Sequence, residues 1–575
     1  MTRSSAVAWA WHLVRLDVTG VAAAALFFCL SLTPSLLPRD WLTGGIIGGI
    51  NAAIGYGIGV LLGAVVRTLV LRRRTWWPLR PRARRLIAAV VVALSIGVSV
   101  LMLVPAAAWQ REVAALMGIE GPATSEYLRT LLVALMTGVL LIAVARMVKE
   151  AIGFLARMMI RRWDINDEVA MFIGTAIVVI LIITLVNGVL VRGFIAGASA
   201  VFQPQNSTTR LGVEQPGQPE RSGSPTSFAP WDTLGFQGRN FVGTGPTAAE
   251  LTDLNGRPAR EPIRIYAGLQ SAETTESRVA VLLSELQRTR AFERRLLVII
   301  PTTGTGWVDP VAARAIESMY NGDTALVAMQ YSYLPSWISF LADQQKSVEA
   351  GRAMVDGIHQ RWLRWPADTR PDLALFGESL GAMAGQGAFG YLPDVAEMNF
   401  SSVLWVGPPN SSRLWRAVTD RRDPGTPEVQ PRYDNGRTVR FAQASGAAEI
   451  AAVVASPPWG RTRVLFLQHP SDPVVWWSPD LLFDKPDWLR EPPGFDRSPS
   501  MRWYPIITFW QVSADMAGNV TNSTGTPTGH GHNYGDNQLD GWVAVAAPEG
   551  WTDVDTDRIR RSLEKLISAG GPEFA

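Results

Sequence analysis

Residues 373–384 read Leu373-Ala-Leu-Phe-Gly377-Glu378-Ser379-Leu380-Gly381-Ala382-Met383-Ala384, a G-x-S-x-G motif set between an apolar run and a run of small residues. The apolar run reads as a buried strand and the small-residue run as the start of a helix. A sharp strand-to-helix turn needs small neighbours, here Gly377 and Gly381, and it holds the intervening hydroxyl out at the edge of a sheet. The motif alone is common, and its ordinary reading is a tight turn with an inert serine. The surrounding pattern decides between the two.

Working outward, short apolar runs alternate with helical patterns from about residue 260. IRIYAGL (263–269) precedes a helical stretch ending near Arg290, LLVIIP (296–301) one at 308–320, and ALVAMQYS (325–332) one at 343–363. VLWVG (403–407) and VLFLQ (464–468) follow the motif strand. Strands alternating with helices imply βαβ units and a mostly parallel sheet. Continuous apolar runs fit strands buried on both faces. In that setting Ser379 is a candidate nucleophile.

A serine nucleophile needs a base and an orienting acid, in the chain order Ser, Asp/Glu, His for this arrangement. The chain has five histidines, so the test is sharp. His12 and His359 precede the serine, and His469 ends the 464–468 strand, where the acid is expected. His530 and His532 remain, in Gly529-His530-Gly531-His532-Asn533-Tyr534. His532 is the expected base, because the helical pattern after Tyr534 would fix its loop, and His530 is the alternative. The acid is Asp472, just past the 464–468 strand, whose alternative reading is a turn residue before Pro473. An oxyanion hole needs two backbone N–H groups. Leu380 supplies one, and Thr303, in Pro301-Thr302-Thr303-Gly304-Thr305-Gly306-Trp307, is the candidate for the other. That glycine-rich segment lacks the Gly-Lys-Ser/Thr ending of a phosphate loop.

The first two hundred residues are of another kind. About 20 mostly apolar residues cross a bilayer, and five stretches qualify, roughly 18–37, 43–66, 86–108, 127–146 and 169–191. Arg72, Arg73, Arg74, Arg80, Arg82, Arg84 and Arg85 follow the second stretch, and Arg146, Lys149, Arg157, Arg161 and Arg162 follow the fourth. Loops 38–42 and 109–126 carry few positive charges. Because cytoplasmic loops carry the excess of Lys and Arg, the N-terminus is expected in the cytoplasm and everything after about 192 outside. Trp76 and Trp77 read as an interfacial pair. The glycines of the second stretch read as a close-packing face, and Asn51 and Asn187 as interhelical hydrogen-bond partners. Residues 203–230, rich in Pro, Gly, Ser, Gln and Thr, read as a linker. The division is thus 1–202 membrane region, 203–230 linker and 231–575 outer domain, with 203–575 expected to fold alone.

Composition agrees with that division. Of 575 residues 47% are hydrophobic and 18% charged, well below the roughly 25% charged of soluble domains. Residues 1–200 hold 19 Lys and Arg against 9 Asp and Glu, while the remainder holds 34 against 41. The basic surplus therefore lies in the apolar half, which argues for a membrane and against nucleic acid. Cys29 is the single cysteine, which excludes an intramolecular disulfide and any cysteine metal site. Neither a metal nor another cofactor is expected.

Taken together, TTGTGWVDP (302–310), AMQYSYLPSW (328–337), FGESLG (376–381), LWVGPPN (404–410) and GHGHNY (529–534) resemble the actinobacterial membrane-anchored α/β-hydrolase-family proteins, over nearly the whole chain. The resemblance implies an α-helical membrane region of about five transmembrane helices, followed by an α/β-hydrolase domain with serine-hydrolase chemistry on Ser379, Asp472 and one of the two histidines. It fixes no substrate. Trp307, Trp337, Trp405, Trp415, Trp476, Trp477, Trp503 and Trp510 would form either an aromatic mouth for an acyl chain or ordinary core packing. Segment 411–462 is a candidate lid. The leading expectation is a multi-pass protein of the bacterial cell membrane, its catalytic domain extracytoplasmic, hydrolysing a lipid or cell-envelope ester. An acyltransferase with the same triad and a catalytically silent domain on a membrane scaffold are the alternatives.

Overall fold

The computed structural model describes residues 16–68, 81–342, 344–455, 458–520 and 527–570. His12, Arg72, Arg73, Arg74, Trp76, Trp77 and Arg80 lie outside the described residues. The chain forms two compact units, one of Met1–Phe194 with Pro479–Leu489 and Arg497–Gly518, the other of Ile195–Ser478, Arg490–Asp496 and Asn519–Ala575.

The first unit is helical: α1 Val18–Ser31, α2 Trp41–Val66, α3 Pro81–Leu116, α4 Thr124–Trp163 and α5 Asp167–Ile183, the last continuing as π-helical turns over Thr184–Val191. Among the described residues four helices, α2 to α5, are long and apolar enough to cross a membrane. The expected first span, 18–37, is a helix of only 14 residues. That is about 21 Å at 1.5 Å per residue, short of the roughly 30 Å hydrocarbon core. Its end is local: Ser31 Oγ and Thr33 Oγ1 donate to Phe28 O and Leu30 O, and Pro34 cannot continue the ladder. The glycine face of α2 packs closely, since a Cβ on Gly49 would lie 2.5 Å from Thr137 Cβ, and one on Gly59 the same distance from Thr19 O. Asn51 differs from expectation. It is buried, and its Nδ2 donates to Ile47 O of its own helix.

Two later segments complete this unit, so the division at 202 and 230 leaves out part of its packing. On the helix Ile507–Val520, Gln511 Nε2 donates to Ser31 O and Thr33 O. The Asp515 carboxylate accepts from Ser35 Oγ and from Leu36 N, and pairs with Arg39. Ser498 and Ser500 donate to the Glu112 carboxylate near the end of α3.

The second unit holds a seven-stranded, all-parallel sheet, β1 Ile263–Ala267, β2 Leu296–Pro301, β3 Thr324–Met329, β4 Asp372–Glu378, β5 Phe400–Val406, β6 Val439–Ala442 and β7 Arg463–Leu467, in the order β1-β3-β2-β4-β5-β7-β6. Almost every strand residue is buried, as the continuous apolar runs require. Helices α6 Thr275–Arg288, α7 Pro310–Met319, α8 Gln344–Trp362 and α9 Leu380–Gln386 intervene between strands, and α10 Asn537–Ala546 and α11 Asp553–Ser568 close the chain. β4, the motif strand, is central. Ligands of open parallel sheets bind at the carboxyl ends of the strands, and the motif lies at one of them.

Two expectations are corrected here. Part of the 203–230 stretch is packed structure, because β1 is an edge strand whose backbone groups need partners. Ser222 N donates to Arg264 O, Arg264 N to Glu220 O, and the buried Glu285 carboxylate accepts from Ser222, Ser227 and the Phe228 amide. The proposed lid, 411–462, contributes the strand β6 and the helices Arg413–Thr419 and Ala447–Ala455. Arg440 interrupts the apolar pattern of β6. Its guanidinium lies 4.1 Å from the Trp459 ring centroid and donates to Gly436 O and Val454 O.

Candidate active site

Ser379 occupies the turn between β4 and α9 with φ 54° and ψ −124°. A non-glycine residue there is strained, and such strain persists only where the surroundings enforce it. They do so closely. A Cβ on Gly381 would lie 2.3 Å from Pro301 O, so α9 can rest on the end of β2 only with glycine at that position. Ser379 N donates to Val406 O at 2.9 Å, fixing the turn to the end of β5.

Asp472 follows β7 and is fully buried. One carboxylate oxygen, Oδ1, accepts from Val474 N at 2.8 Å. The other, Oδ2, accepts from His532 Nδ1 at 2.7 Å and from Tyr534 OH at 2.8 Å. Burial raises the Tyr534 hydroxyl well above its ordinary pKa, and the Asp472 charge adds to that, so the phenol stays a donor. His532 Nε2 is buried and has no hydrogen-bond partner among the described residues. The ring lies over the end of β5, where a Cβ on Gly407 would stand 2.7 Å from His532 Cε1. Gly407 follows Val406, whose carbonyl holds the Ser379 amide, so the serine turn and the His532 ring meet at the same strand end.

His530 points elsewhere. Its Nδ1 donates to Asp496 Oδ2 at 3.2 Å, and Asp496 also accepts from Ser471 Oγ at 2.5 Å. Ser471 Oγ accepts from Gly531 N at 2.9 Å, while His469 Nδ1 donates to Gly531 O at 2.8 Å. Gly531, between the two loop histidines, is therefore held at both its N–H and its carbonyl. Tyr534 stacks on His469 with ring centroids 4.1 Å apart. His469, expected only to end a strand, thus packs beneath the loop, and burial lowers its pKa, which keeps it neutral.

Leu380 is the first residue of α9, where helix amides have no intrahelical acceptor. Thr303 lies in the loop after β2, and its amide makes a long bond of 3.4 Å to Trp307 O. Asp496, Tyr534, Gly407 and Ser471 were not anticipated as parts of the site. Tyr534 lies inside the quoted GHGHNY stretch, whereas Asp496 sits in an irregular loop and gives no local signal. Nor was Glu378, the variable residue before the serine. It is buried beneath the turn, and its pKa is pushed well above the carboxylate range by burial first and by Asp309 and Asp472 second. Of the tryptophans, Trp405, Trp415 and Trp476 are core residues, with Trp415 edge-on to Trp476 at 6.0 Å. Trp477 is half-buried against Phe340, and the Trp337 side chain lies outside the described residues.

A family model described as alpha/beta-hydrolase family matches residues 263–559, and one described as the N-terminus of that family matches residues 32–246. No curated protein and no solved structure matches the chain.

Proposed function

The chain belongs to the alpha/beta-hydrolase family, and from that premise we propose that it is a membrane-anchored serine esterase working through an acyl-enzyme. The observation that carries this reading is the Asp472–His532 pair, whose buried and unpartnered Nε2 sits at the strand end that also holds the strained Ser379 turn. An inert serine in a tight turn would call for none of that arrangement.

In the proposed reaction Ser379 Oγ bonds to the ester carbonyl carbon while His532 Nε2 takes its proton. Asp472 holds the ring through Nδ1 and stabilises the imidazolium. The oxyanion is met by the Leu380 amide and by the Thr303 amide, which gives up its long bond to Trp307 O. The intermediate collapses with cleavage of the ester C–O bond, and His532 returns the proton to the leaving alcohol. Water, deprotonated by His532, then releases the acid and restores Ser379.

Membrane anchoring rests on the four long apolar helices and on their outward side chains, with Leu61, Leu101, Leu132 and Phe172 exposed. Four crossings from Trp41 return the chain to the side of Arg39, and Arg39 is paired with Asp515. Among the described residues Arg67, Arg82, Arg85, Arg161 and Arg162 stand at the opposite helix ends. The arginine side is the cytoplasmic one by the positive-inside rule, which puts the hydrolase fold outside a bacterial cell membrane and makes lipid or envelope esters the substrate class within reach. The decisive experiment is labelling of the full chain by a fluorophosphonate probe. Labelling that disappears in Ser379→Ala supports the reading, and an unlabelled but folded wild type overturns it in favour of a silent domain.

A further inference from the structure

Between α1, α2, α3 and α4 lies a hollow of about 360 Å³, within the range of roughly 300–1,000 Å³ typical of small-molecule sites. Its walls are apolar or small, with Ala53 and Tyr56 from α2, Ser99 from α3 and Ala134 from α4. Small side chains facing one another leave space that larger ones would fill. The hollow opens sideways, for Leu135 and Val139 at its rim are 61% and 48% exposed.

One end is charged. The Tyr56 hydroxyl accepts from Arg146 Nη2 at 3.0 Å and from the Asp17 amide at 2.9 Å. Arg67 pairs with the Asp17 carboxylate at 3.3 Å. The Arg146 and Arg67 guanidinium groups and the Asp17 carboxylate all stand at this end. Arg146 stands about one helical turn beyond Ile142, a lining residue of α4. An apolar slot, open to the outer surface of the bundle and ending on a cation, has the shape and charge of a site for one chain carrying an anionic head.

We propose that this hollow binds an acyl chain of an anionic phospholipid, with the lipid phosphate against Arg146. The proposal rests on the reading that α2 to α5 span a membrane, since that places the opening among lipid tails. Burying a chain there removes apolar wall and tail surface from contact with disordered lipid and gains close packing, and Arg146 adds a charge-assisted contact to phosphate.

The test uses the full chain in nanodiscs with phosphatidylglycerol bearing a diazirine on its acyl chain, and the phosphatidylcholine equivalent as comparison. Photocapture mapped by peptide mass spectrometry is expected to concentrate around residues 53, 99 and 134, and to fall severalfold in Ala53→Phe. Arg146→Gln should reduce capture of phosphatidylglycerol to the phosphatidylcholine level. Should Ala53→Phe melt like an unfolded chain, Ser99→Leu fills the hollow from a different helix. Capture spread evenly over outward residues such as Leu101 and Phe172, and unchanged by filling, overturns the lipid site. Release of the full chain from membranes by alkaline carbonate would instead overturn the spanning reading, so the two failures are distinct.

Discussion

Arg39 Nε lies 3.0 Å from Asp515 Oδ1, with both side chains almost completely buried. The pair ties the turn after α1 to a helix near the end of the chain, alongside the Gln511 bonds to Ser31 O and Thr33 O. A bundle serving only as an anchor has no need of a buried ion pair to a segment so distant in sequence. The helical unit is instead completed by residues 479–489 and 497–518.

Breaking a buried pair leaves one charge uncompensated, at a cost of about 3–5 kcal/mol. Asp515→Ala in the full chain is therefore expected to lower the melting temperature clearly in detergent. The double replacement Arg39→Met with Asp515→Leu should recover part of the loss, because it leaves no uncompensated charge, while Ser35 Oγ and the Leu36 amide still lose their acceptor. A chain starting at residue 195 should be poorly soluble, since Gln511 and Asp515 lose their partners. A soluble, probe-reactive truncated chain would show these contacts to be dispensable.

The two loop histidines separate by their partners, His532 with Asp472 and His530 with Asp496. His532→Ala should abolish measurable ester turnover and leave the melting temperature near that of the wild type. His530→Ala should lose far less, because it removes a 3.2 Å bond that supports the loop and leaves the Asp472 pair in place. The check is turnover of a chromogenic short-chain ester by both variants, and a larger loss in His530→Ala would reverse the assignment.

Asp472→Asn keeps the side-chain shape but leaves one acceptor oxygen for the three donors that meet the carboxylate. It no longer balances the charge on the imidazolium, and the equivalent change in a serine protease costs about 10⁴ in kcat. A loss of several orders in kcat with an unchanged far-ultraviolet circular dichroism spectrum is the expected result. Near-normal turnover would return Asp472 to a turn residue before Pro473.

Six of the seven strands were legible as apolar runs because a parallel strand buried on both faces has no polar face to show. β6 was not, because Arg440 breaks its four residues, and the Trp459 ring and the carbonyls of Gly436 and Val454 that receive it lie outside the strand. The strand, turn and helix around Ser379 were legible from local pattern, and the meeting of Asp472 with a loop histidine from the scarcity of histidine. Asp496, Asp515 and the packing of 218–229 on β1 were not. Their partners lie far away in sequence, and a lone carboxylate looks the same whether it meets water or a buried guanidinium.

Glu378 offers a prediction in pH. It and Asp309 are both buried, with Asp309 raised to about 6 and Glu378 raised well above its ordinary value, burial being the main cause for each. A carboxyl whose folded pKa exceeds its unfolded value favours the folded state while protonated. That stability is full below the ordinary carboxylate range and is lost as pH rises through the folded pKa. The wild type should therefore lose stability between about pH 4 and the region above pH 6. Glu378→Gln removes the ionisable group while keeping its shape, so its melting temperature should exceed that of the wild type above pH 6 and converge with it near pH 4. Melting curves of both proteins from pH 4 to pH 8.5 provide the measurement. Parallel curves across that range would mean that Glu378 ionises in the folded state as easily as in water, and the buried acid pair beneath Ser379 would have no bearing on stability.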